Sequence, residues 1–448
     1  MKAHIFREYD IRGIYPDELN RETTRVLGLG FGTYFQTNGA GRISLGRDCR
    51  LSSPELAEGL KKGLLESGME VVDLGVIPTP VLYYSLHNMD VDGGIEITGS
   101  HNPPEFNGFK ICLGHMSVFG QEIQKIREII ESGDFKRGAG KLEESEILTS
   151  YIKYAEENIQ CGPVKRKVVV DGGNGVGGPV GTEIYKHLGF DVVPLFCEPD
   201  GNFPNHHPDP TIPKNLDTMI SKVKETSSDL GVAYDGDADR IGVVDPEGNI
   251  IWGDQLLIIF SRDLLKRHPG GKIIGEVKCS QVLYDDIEKQ GGKGIMWKVG
   301  HSLIKSKMKE EGALLAGEMS GHIFFSERYF GYDDAIYSGA RLLEILSKSE
   351  KGVKDLLAGI PKMVNTPEIR MGCPDERKFE IVAQMVEEFK KEYRVIDVDG
   401  ARVLFDGGWG LVRPSNTQPV LVLRFEATDE KRLEEIRKIF MDKLEKKL

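Results

Sequence analysis

The chain has 448 residues and a formal net charge of −12. That length suits about three or four domains, and the negative balance disfavours general nucleic-acid binding, so an anionic ligand would need a locally basic pocket. No apolar run approaches membrane-spanning length, the opening MKAHIFREYD has no apolar signal core, and the six cysteines (Cys49, Cys112, Cys161, Cys197, Cys279, Cys373) form no Cys-x-x-Cys pair. The expectation is a cytoplasmic protein with no zinc site, no disulfide scaffold, no nucleic-acid partner and no membrane partner.

Three segments repeat one order of elements. In RISLGRDCRLSSPELAEGLKKGLLESGMEVVDLG, a strand leads into a polar turn at Gly46 to Arg50 and then a helix begun by Ser53 and Pro54. Leu56, Leu60 and Leu64 recur at helical spacing there, and Gly68 precedes a second strand. VVVDGGNGVGGPVGTEIYKHLGFDVVPL follows the same order with Gly189 as helix stop, and KIIGEVKCSQVLYDDIEKQGGKGIMWKVG does so with Gly291 and Gly292. Each segment sets polar or charged residues just after a strand: Arg47 and Asp48, Asp171 and Asn174, Glu276 and Lys278. In parallel α/β sheets ligands usually bind at that carboxyl end. Beyond the proline-marked IPKMVNTPEIRMGCP, the spacing predicts a helix from Glu376 to Lys391, apolar runs around Val395, Val403 and Val420 to Phe425, and an amphipathic helix through Leu433, Ile436, Phe440 and Leu444. The expected fold class is α/β with a smaller C-terminal α+β domain, and the expected domains are 1–148, 149–250, 251–364 and 365–448.

The segment ITGSHNPPEFNGFK, Ile97 to Lys110, follows a strand in which Ile95 and Ile97 alternate with Glu96 and Thr98, and Asn-Pro-Pro stops that strand just beyond Ser100. Its Ser, His, Asn and Lys suit either a functional loop or plain turn chemistry. In LGVAYDGDADRIGVVDPEGNII a strand ends at Tyr234 and aspartates follow at 235, 237 and 239. Alternation in an extended chain would point the three carboxylates one way, where a divalent cation, Mg²⁺ first, would neutralise them. A solvated acidic turn is the alternative. An EF-hand is excluded, because Arg240 stands where glycine is required and Pro246 where glutamate is required.

GNGVGG, Gly173 to Gly178, matches the dinucleotide fingerprint formally, but Asp171 and Gly172 intervene after the strand, and a close backbone turn also explains the glycines. GEMSGH, Gly317 to His322, groups an acid, a hydroxyl and an imidazole that would serve a polyol or simply line a surface loop. RPSNTQP, Arg413 to Pro419, joins a guanidinium to Ser, Asn and Thr donors, a composition shared by phosphate sites and ordinary turns. His301 in VGHSLIK reads as a helix cap. Ser100 has Thr98 and Asn102 where a nucleophile elbow needs glycines, which argues against a serine-triad hydrolase. A serine near cations, an aspartate trio and a phosphate-like turn together point to phosphoryl transfer.

Taken in order, FREYDIRG, GRDCRLSSPEL, TGSHNPPEFNGFK, DGDADR, GEMSGH and RPSNTQP closely resemble the motifs of the α-D-phosphohexomutase superfamily, specifically its phosphomannomutase/phosphoglucomutase group. The resemblance runs from Phe6 to Phe425. It implies a heart-shaped protein with a central cleft, in which three related α/β domains with mixed sheets precede the C-terminal domain. It implies reversible intramolecular phosphoryl transfer between the 1- and 6-positions of mannose and/or glucose phosphates, through a phosphoserine and a hexose 1,6-bisphosphate that is intermediate and activator.

On this resemblance Ser100 is the phosphorylated serine, and one Mg²⁺ is held by Asp235, Asp237, Asp239 and an oxygen on Ser100. Arg12, His101 and Lys110 are the basic groups around it, with Lys110 and Arg12 assisting proton transfer. Tyr9, Arg240, Lys278, His301 and His322 line the substrate site, and Glu318 and Ser320 bind the sugar's 3- and 4-hydroxyls. Arg413, Ser415, Asn416 and Thr417 bind the phosphate that is not reacting. The alternatives are an amino-sugar phosphate mutase of the same superfamily and a metal-dependent sugar phosphatase. The expected assembly is a monomer or weak homo-oligomer.

Overall fold

The computed structural model describes residues 1–416 and 418–447. Their contacts fall into two compact units, Met1–Leu256 with Ser320–Leu356, and Leu257–Met319 with Leu357–Leu448.

The first unit opens with a seven-stranded mixed sheet. Its spatial order is Ile11–Ile14, Phe106–Leu113, Gly93–Ile97, Arg42–Arg47, Glu70–Val76 and Lys141–Glu144, with Met116–Ser117 beside Phe106–Leu113. The strand Arg42–Arg47 pairs in parallel with both Glu70–Val76 and Gly93–Ile97, whereas Phe106–Leu113 runs antiparallel to its neighbours. The helices Arg21–Thr37 and Ser53–Ser67 approach closely, since a Cβ on Gly63 would lie 2.0 Å from the Arg25 carbonyl oxygen. Phe31, Phe35, Leu60, Leu64, Ile43 and Ile95 bury their side chains in the core of this domain, and among them Leu60, Leu64 and Ile95 are positions that the helical and alternating patterns predict.

A five-stranded sheet follows, ordered Ile250–Ile251, Ile241–Val244, Leu230–Tyr234, Lys167–Asp171 and Asp191–Leu195. The last three strands are parallel and Ile241–Val244 turns back antiparallel. The Gly173 to Gly178 segment here is a packing device. A Cβ on Gly175 would lie 2.6 Å from the Gly236 carbonyl oxygen, and one on Gly177 would lie 2.5 Å from the Ala238 side chain. These glycines let the helix Gly177–His187 start hard against the aspartate turn, which is the close backbone approach rather than a dinucleotide cradle.

In the second unit the strand Lys272–Glu276 pairs in parallel with Lys293–Trp297 and Leu315–Gly317. A six-stranded antiparallel sheet then runs Val364–Asn365, Val420–Ala427, Gly408–Pro414, Ala401–Phe405 and Arg394–Ile396, with Ile369–Gly372 also on Val420–Ala427. The helices Asp375–Phe389 and Glu430–Leu444 cover it through Met385, Phe389, Ile436 and Phe440. The apolar runs do not reveal the strand Gly408–Pro414, because glycines interrupt it. Gly410 is required there, since a Cβ would come within 2.4 Å of the Phe440 ring. This strand carries Arg413. Among the described residues no helix is long and apolar enough to cross a membrane.

Candidate active site

Ser100 stands at the end of the strand Gly93–Ile97 in the left-handed region, φ +48°, a conformation that costs a non-glycine residue about 1–3 kcal/mol and persists only where the surroundings impose it. The surroundings are legible. Arg50, wholly buried, donates to the carbonyl oxygens of Ser100 (2.8 Å), Asn102 (2.6 Å), Pro103 (2.6 Å) and Phe106 (3.0 Å), while its Nε meets Asp48 Oδ2 at 3.2 Å. Asp48 in turn accepts from the backbone N–H of Gly99 at 3.0 Å and from the Ser53 hydroxyl. Gly99 has no room for a side chain, because a Cβ would lie 2.4 Å from the Arg50 guanidinium carbon. One ion pair on the neighbouring turn thus moulds the serine loop.

So held, the buried Ser100 hydroxyl donates to Asp235 Oδ2 at 2.8 Å and lies 3.0 Å from His101 Nδ1. Desolvation of the ring, with Arg240 and Arg12 nearby, keeps the His101 imidazole well below its ordinary pKa and therefore neutral. The three aspartates do not alternate along an extended strand as the sequence suggests. The chain folds into a turn after Tyr234, with Ala238 at φ +61°, because Asp235 Oδ1 accepts from the backbone N–H groups of Asp239 and Arg240, each at 3.1 Å. The carboxylates still converge, with one oxygen from each of Asp235, Asp237 and Asp239 lying within 4.8 Å of the others.

Two observations bear on whether these residues suit a cation. Asp237 Oδ1 and Asp239 Oδ1 are buried without a hydrogen-bond partner, and an all-oxygen donor set matches a hard divalent ion such as Mg²⁺. The residues fit. Burial, then the charges of Asp239 and Asp237, push the Asp235 carboxyl well above its ordinary range. Lys110 Nζ meets Asp237 Oδ2 at 2.6 Å and also Asp239 Oδ2, and Thr79 Oγ1 donates to Asp237 Oδ2 at 2.6 Å. Burial alone would lower the Lys110 pKa, but Asp237 and Asp239 more than offset it and hold the ammonium firmly charged.

Arg240 Nε donates to His322 Nε2 at 3.0 Å, so the imidazole carries its proton on Nδ1, which lies 3.0 Å from Asp333 Oδ2 and 3.6 Å from Asp239 Oδ1. Asp239, His322 and Asp333 also each bring one ligand-type atom within 4.8 Å of the others. Arg12 lies on Ile11–Ile14 opposite Gly108, paired with the Asp10 carboxylate, and Tyr9 precedes it, partly exposed. Ser320 is partly exposed in the turn before His322.

The other expected residues lie in the second unit. Lys278 Nζ pairs with Glu368 Oε2 at 3.2 Å, and its backbone N–H donates to Glu276 Oε2 at 2.6 Å. Arg402, stacked 3.7 Å over the Trp409 ring, donates to the carbonyls of Val277 and Cys279 at 2.5 and 2.7 Å and so fixes the loop that carries Lys278. Glu318 Oε1 accepts from Gly300 N at 2.6 Å. Gly300 at φ +130° caps the helix His301–Glu311, and His301 is its first residue rather than its cap. Asp399 Oδ2 accepts from Arg413 Nε at 2.9 Å and from Val299 N at 3.1 Å, joining the guanidinium to the His301 loop. Lys378 Nζ donates to the carbonyls of Ser415 (2.5 Å) and Gln418 (3.1 Å), shaping the turn that bears Asn416. Thr417 lies outside the described residues.

Comparison with known proteins covers almost the whole chain. The descriptions Phosphoglucomutase/phosphomannomutase, alpha/beta/alpha domains I, II and III, match residues 3–137, 149–248 and 252–364, and the C-terminal domain of the same description matches 368–443. The chain belongs to the phosphoglucomutase/phosphomannomutase family. Among its relatives in that family, the phosphomannomutase/phosphoglucomutase of Pseudomonas aeruginosa is 48% identical over 445 residues, covering 99% of this chain and 96% of the relative. The phosphoglucomutase of Neisseria gonorrhoeae is 44% identical over 443 residues, covering 97% and 95%. A crystal structure of a phosphoglucomutase/phosphomannomutase family protein from Burkholderia thailandensis superposes with a TM-score of 0.93 at 41% identity, covering 99% and 97% of the two chains.

For a phosphoglucomutase/phosphomannomutase family site, sequence reading misses the residues that act through others. Arg50 stands inside a quoted motif, but nothing in the string shows that it binds four carbonyls of a loop fifty residues away. Thr79, Asp333, Glu368 and Asp399 carry no motif at all. The one legible hint is Thr79-Pro80 as a helix start, which places a hydroxyl at that terminus.

Proposed function

We propose that this chain is a hexose-phosphate mutase, a phosphomannomutase/phosphoglucomutase that moves a phosphoryl group reversibly between the 1- and 6-positions of mannose and/or glucose phosphates. The observation that carries the reading is the Ser100 hydroxyl, buried and held in a strained conformation, 2.8 Å from Asp235 in a cluster of three aspartates. A serine fixed this way suits an enzyme that carries a phosphate ester at Ser100, gives it to a sugar hydroxyl and takes back the other phosphate of a hexose 1,6-bisphosphate.

Asp235, Asp237, Asp239 and an oxygen on Ser100 would hold one divalent cation, Mg²⁺ by donor type. When bound, such an ion offsets charge on the phosphoryl oxygens and on the departing serine oxygen. The chain supplies the rest. His101 Nδ1, 3.0 Å from Ser100 Oγ, holds a proton at that oxygen, and Lys110 and Arg12 assist proton transfer to and from the sugar hydroxyl. Arg12 and Arg240 complete the cationic wall, and Tyr9 and His322 line it. Glu318 and Ser320 bind sugar hydroxyls, and Lys278 and His301 add further donors. Arg413, Ser415, Asn416 and Thr417 clamp the phosphate that is not reacting. Six cysteines, none in a disulfide among the described residues, suit a reducing cytoplasm.

The test supplies mannose 1-phosphate and glucose 1-phosphate separately, primed with hexose 1,6-bisphosphate, and follows hexose 6-phosphate and inorganic phosphate together. Hexose 6-phosphate without phosphate release supports the mutase. Net release of inorganic phosphate would make the chain a phosphatase, and turnover of amino-sugar phosphates alone would move it to the amino-sugar mutases.

A further inference from the structure

Glu96 is a residue that neither the fold nor the proposed chemistry uses. It lies on Gly93–Ile97 with its side chain fully buried, and neither carboxyl oxygen has a hydrogen-bond partner. An orphaned buried carboxyl destabilises the fold, so its presence calls for a use. The sheet makes room for it. The residue opposite on Arg42–Arg47 is Gly46, where a Cβ would lie 2.3 Å from Glu96 Oε2. On the other side its partner in antiparallel register is Lys110, and directly opposed side chains have Cβ atoms about 4.5–5.5 Å apart, within reach of a lysine. Burial holds the Glu96 carboxyl well above its ordinary pKa, and Lys110 acts in the opposite direction.

Lys110 now rests against Asp237 Oδ2 and Asp239 Oδ2, the carboxylates expected to receive the cation. A divalent ion there would repel the ammonium, and at about 4 Å that repulsion is far above thermal energy even with an effective dielectric near 20. We propose that Glu96 is the alternate seat of Lys110, the acceptor to which the ammonium turns when a cation occupies the aspartates. The two unpartnered oxygens across the strand are then the reason a divalent ion can enter a cluster that a lysine already occupies. Glu96 is a positioning residue, acting through Lys110, and the inference rests on the aspartates being the cation site of the proposed function.

The experiment is a titration of the full-length protein with Mn²⁺, following free ion by electron paramagnetic resonance at matched Ser100 phosphate occupancy. It compares the parent, Glu96→Met, Lys110→Met and the double variant. Methionine keeps the volume and removes both acceptors, so Glu96→Met should melt no lower than the parent, as expected when an orphaned polar group gives way to an apolar one of similar shape. The same variant should bind Mn²⁺ at least about tenfold more weakly, the minimum expected from leaving the ammonium beside the ion. In the Lys110→Met background the Glu96 substitution should have no effect on binding. No Mn²⁺ binding by the parent would overturn the cation site and this inference with it. A parent that binds, with Glu96→Met binding equally well or weakening equally in both backgrounds, would overturn the role of Glu96 alone.

Discussion

Replacing Arg50 by lysine isolates what the guanidinium does from what its charge does. Arg50 meets five oxygens, those of Asp48 and of the Ser100, Asn102, Pro103 and Phe106 carbonyls. A lysine ammonium has three N–H donors on one nitrogen, so at least two of these buried acceptors lose their partner, at about 1–3 kcal/mol each and about 2–6 kcal/mol together. The loss falls on the segment that imposes φ +48° on Ser100. If it is expressed wholly as misplacement of the serine, kcat/KM falls by between about 30-fold and about 10⁴-fold. The assay combines phosphate occupancy of Ser100 by intact mass, kcat/KM for both hexose 1-phosphates and a thermal melt. Arg50→Lys with parent-like occupancy and kcat/KM would refute the claim that this ion pair positions the serine.

Removing the cation with chelator should stop turnover and Mg²⁺ should restore it, whereas full activity of Asp237→Asn in metal-free buffer would contradict the site. Arg413→Ala should weaken hexose-phosphate binding by about one to four orders of magnitude, from one or two charge-assisted hydrogen bonds worth roughly 1.5–3 kcal/mol each, while Ser100 occupancy by mass stays at the parent level. Gly175→Ala should press a methyl group on the Gly236 backbone, 2.6 Å from its carbonyl oxygen, lowering stability by about 1–3 kcal/mol and weakening Mn²⁺ binding, with no thermal shift from NAD⁺ in the parent. Burial pushes Glu368 upward, but Lys278 and Arg370 more than offset this and bring it down to about 2. A depressed carboxyl stabilises the fold above its unfolded pKa and loses that contribution as pH falls through the folded value, so urea unfolding between about pH 4.5 and pH 2 should show the parent losing up to about 3 kcal/mol more than Glu368→Gln.

Much of the fold can be read from the string because it is local and periodic. Leu56, Leu60 and Leu64 mark a helix, and Gly68, Gly189 and Gly291 mark stops, all at left-handed φ. The strand Gly408–Pro414 escapes because Gly408 and Gly410, needed for close packing against Ile436 and Phe440, erase its apolar alternation. At the site, Ser100 and the three aspartates are legible because they stand in dense polar motifs at strand ends, and Lys110 because it closes the same motif as Ser100, although it lies within the strand Phe106–Leu113. The aspartates nonetheless converge through a turn rather than by extended alternation, since the backbone N–H groups of Asp239 and Arg240 close on Asp235. Arg50, Thr79 and Asp399 are not legible, because each works through a partner distant in sequence, Arg50 on Ser100, Thr79 on Asp237 and Asp399 on Arg413.

If Ser100 carries the transferred phosphoryl group, isotopic label will show it. The protein is incubated with ³²P-labelled glucose 1,6-bisphosphate, and the label is mapped by peptide before and after a chase with unlabelled glucose 1-phosphate. Label is expected on the peptide containing Ser100 alone, returning to sugar bisphosphate in the chase and absent from Ser100→Ala. Label on another peptide, or label that leaves as inorganic phosphate, would contradict it.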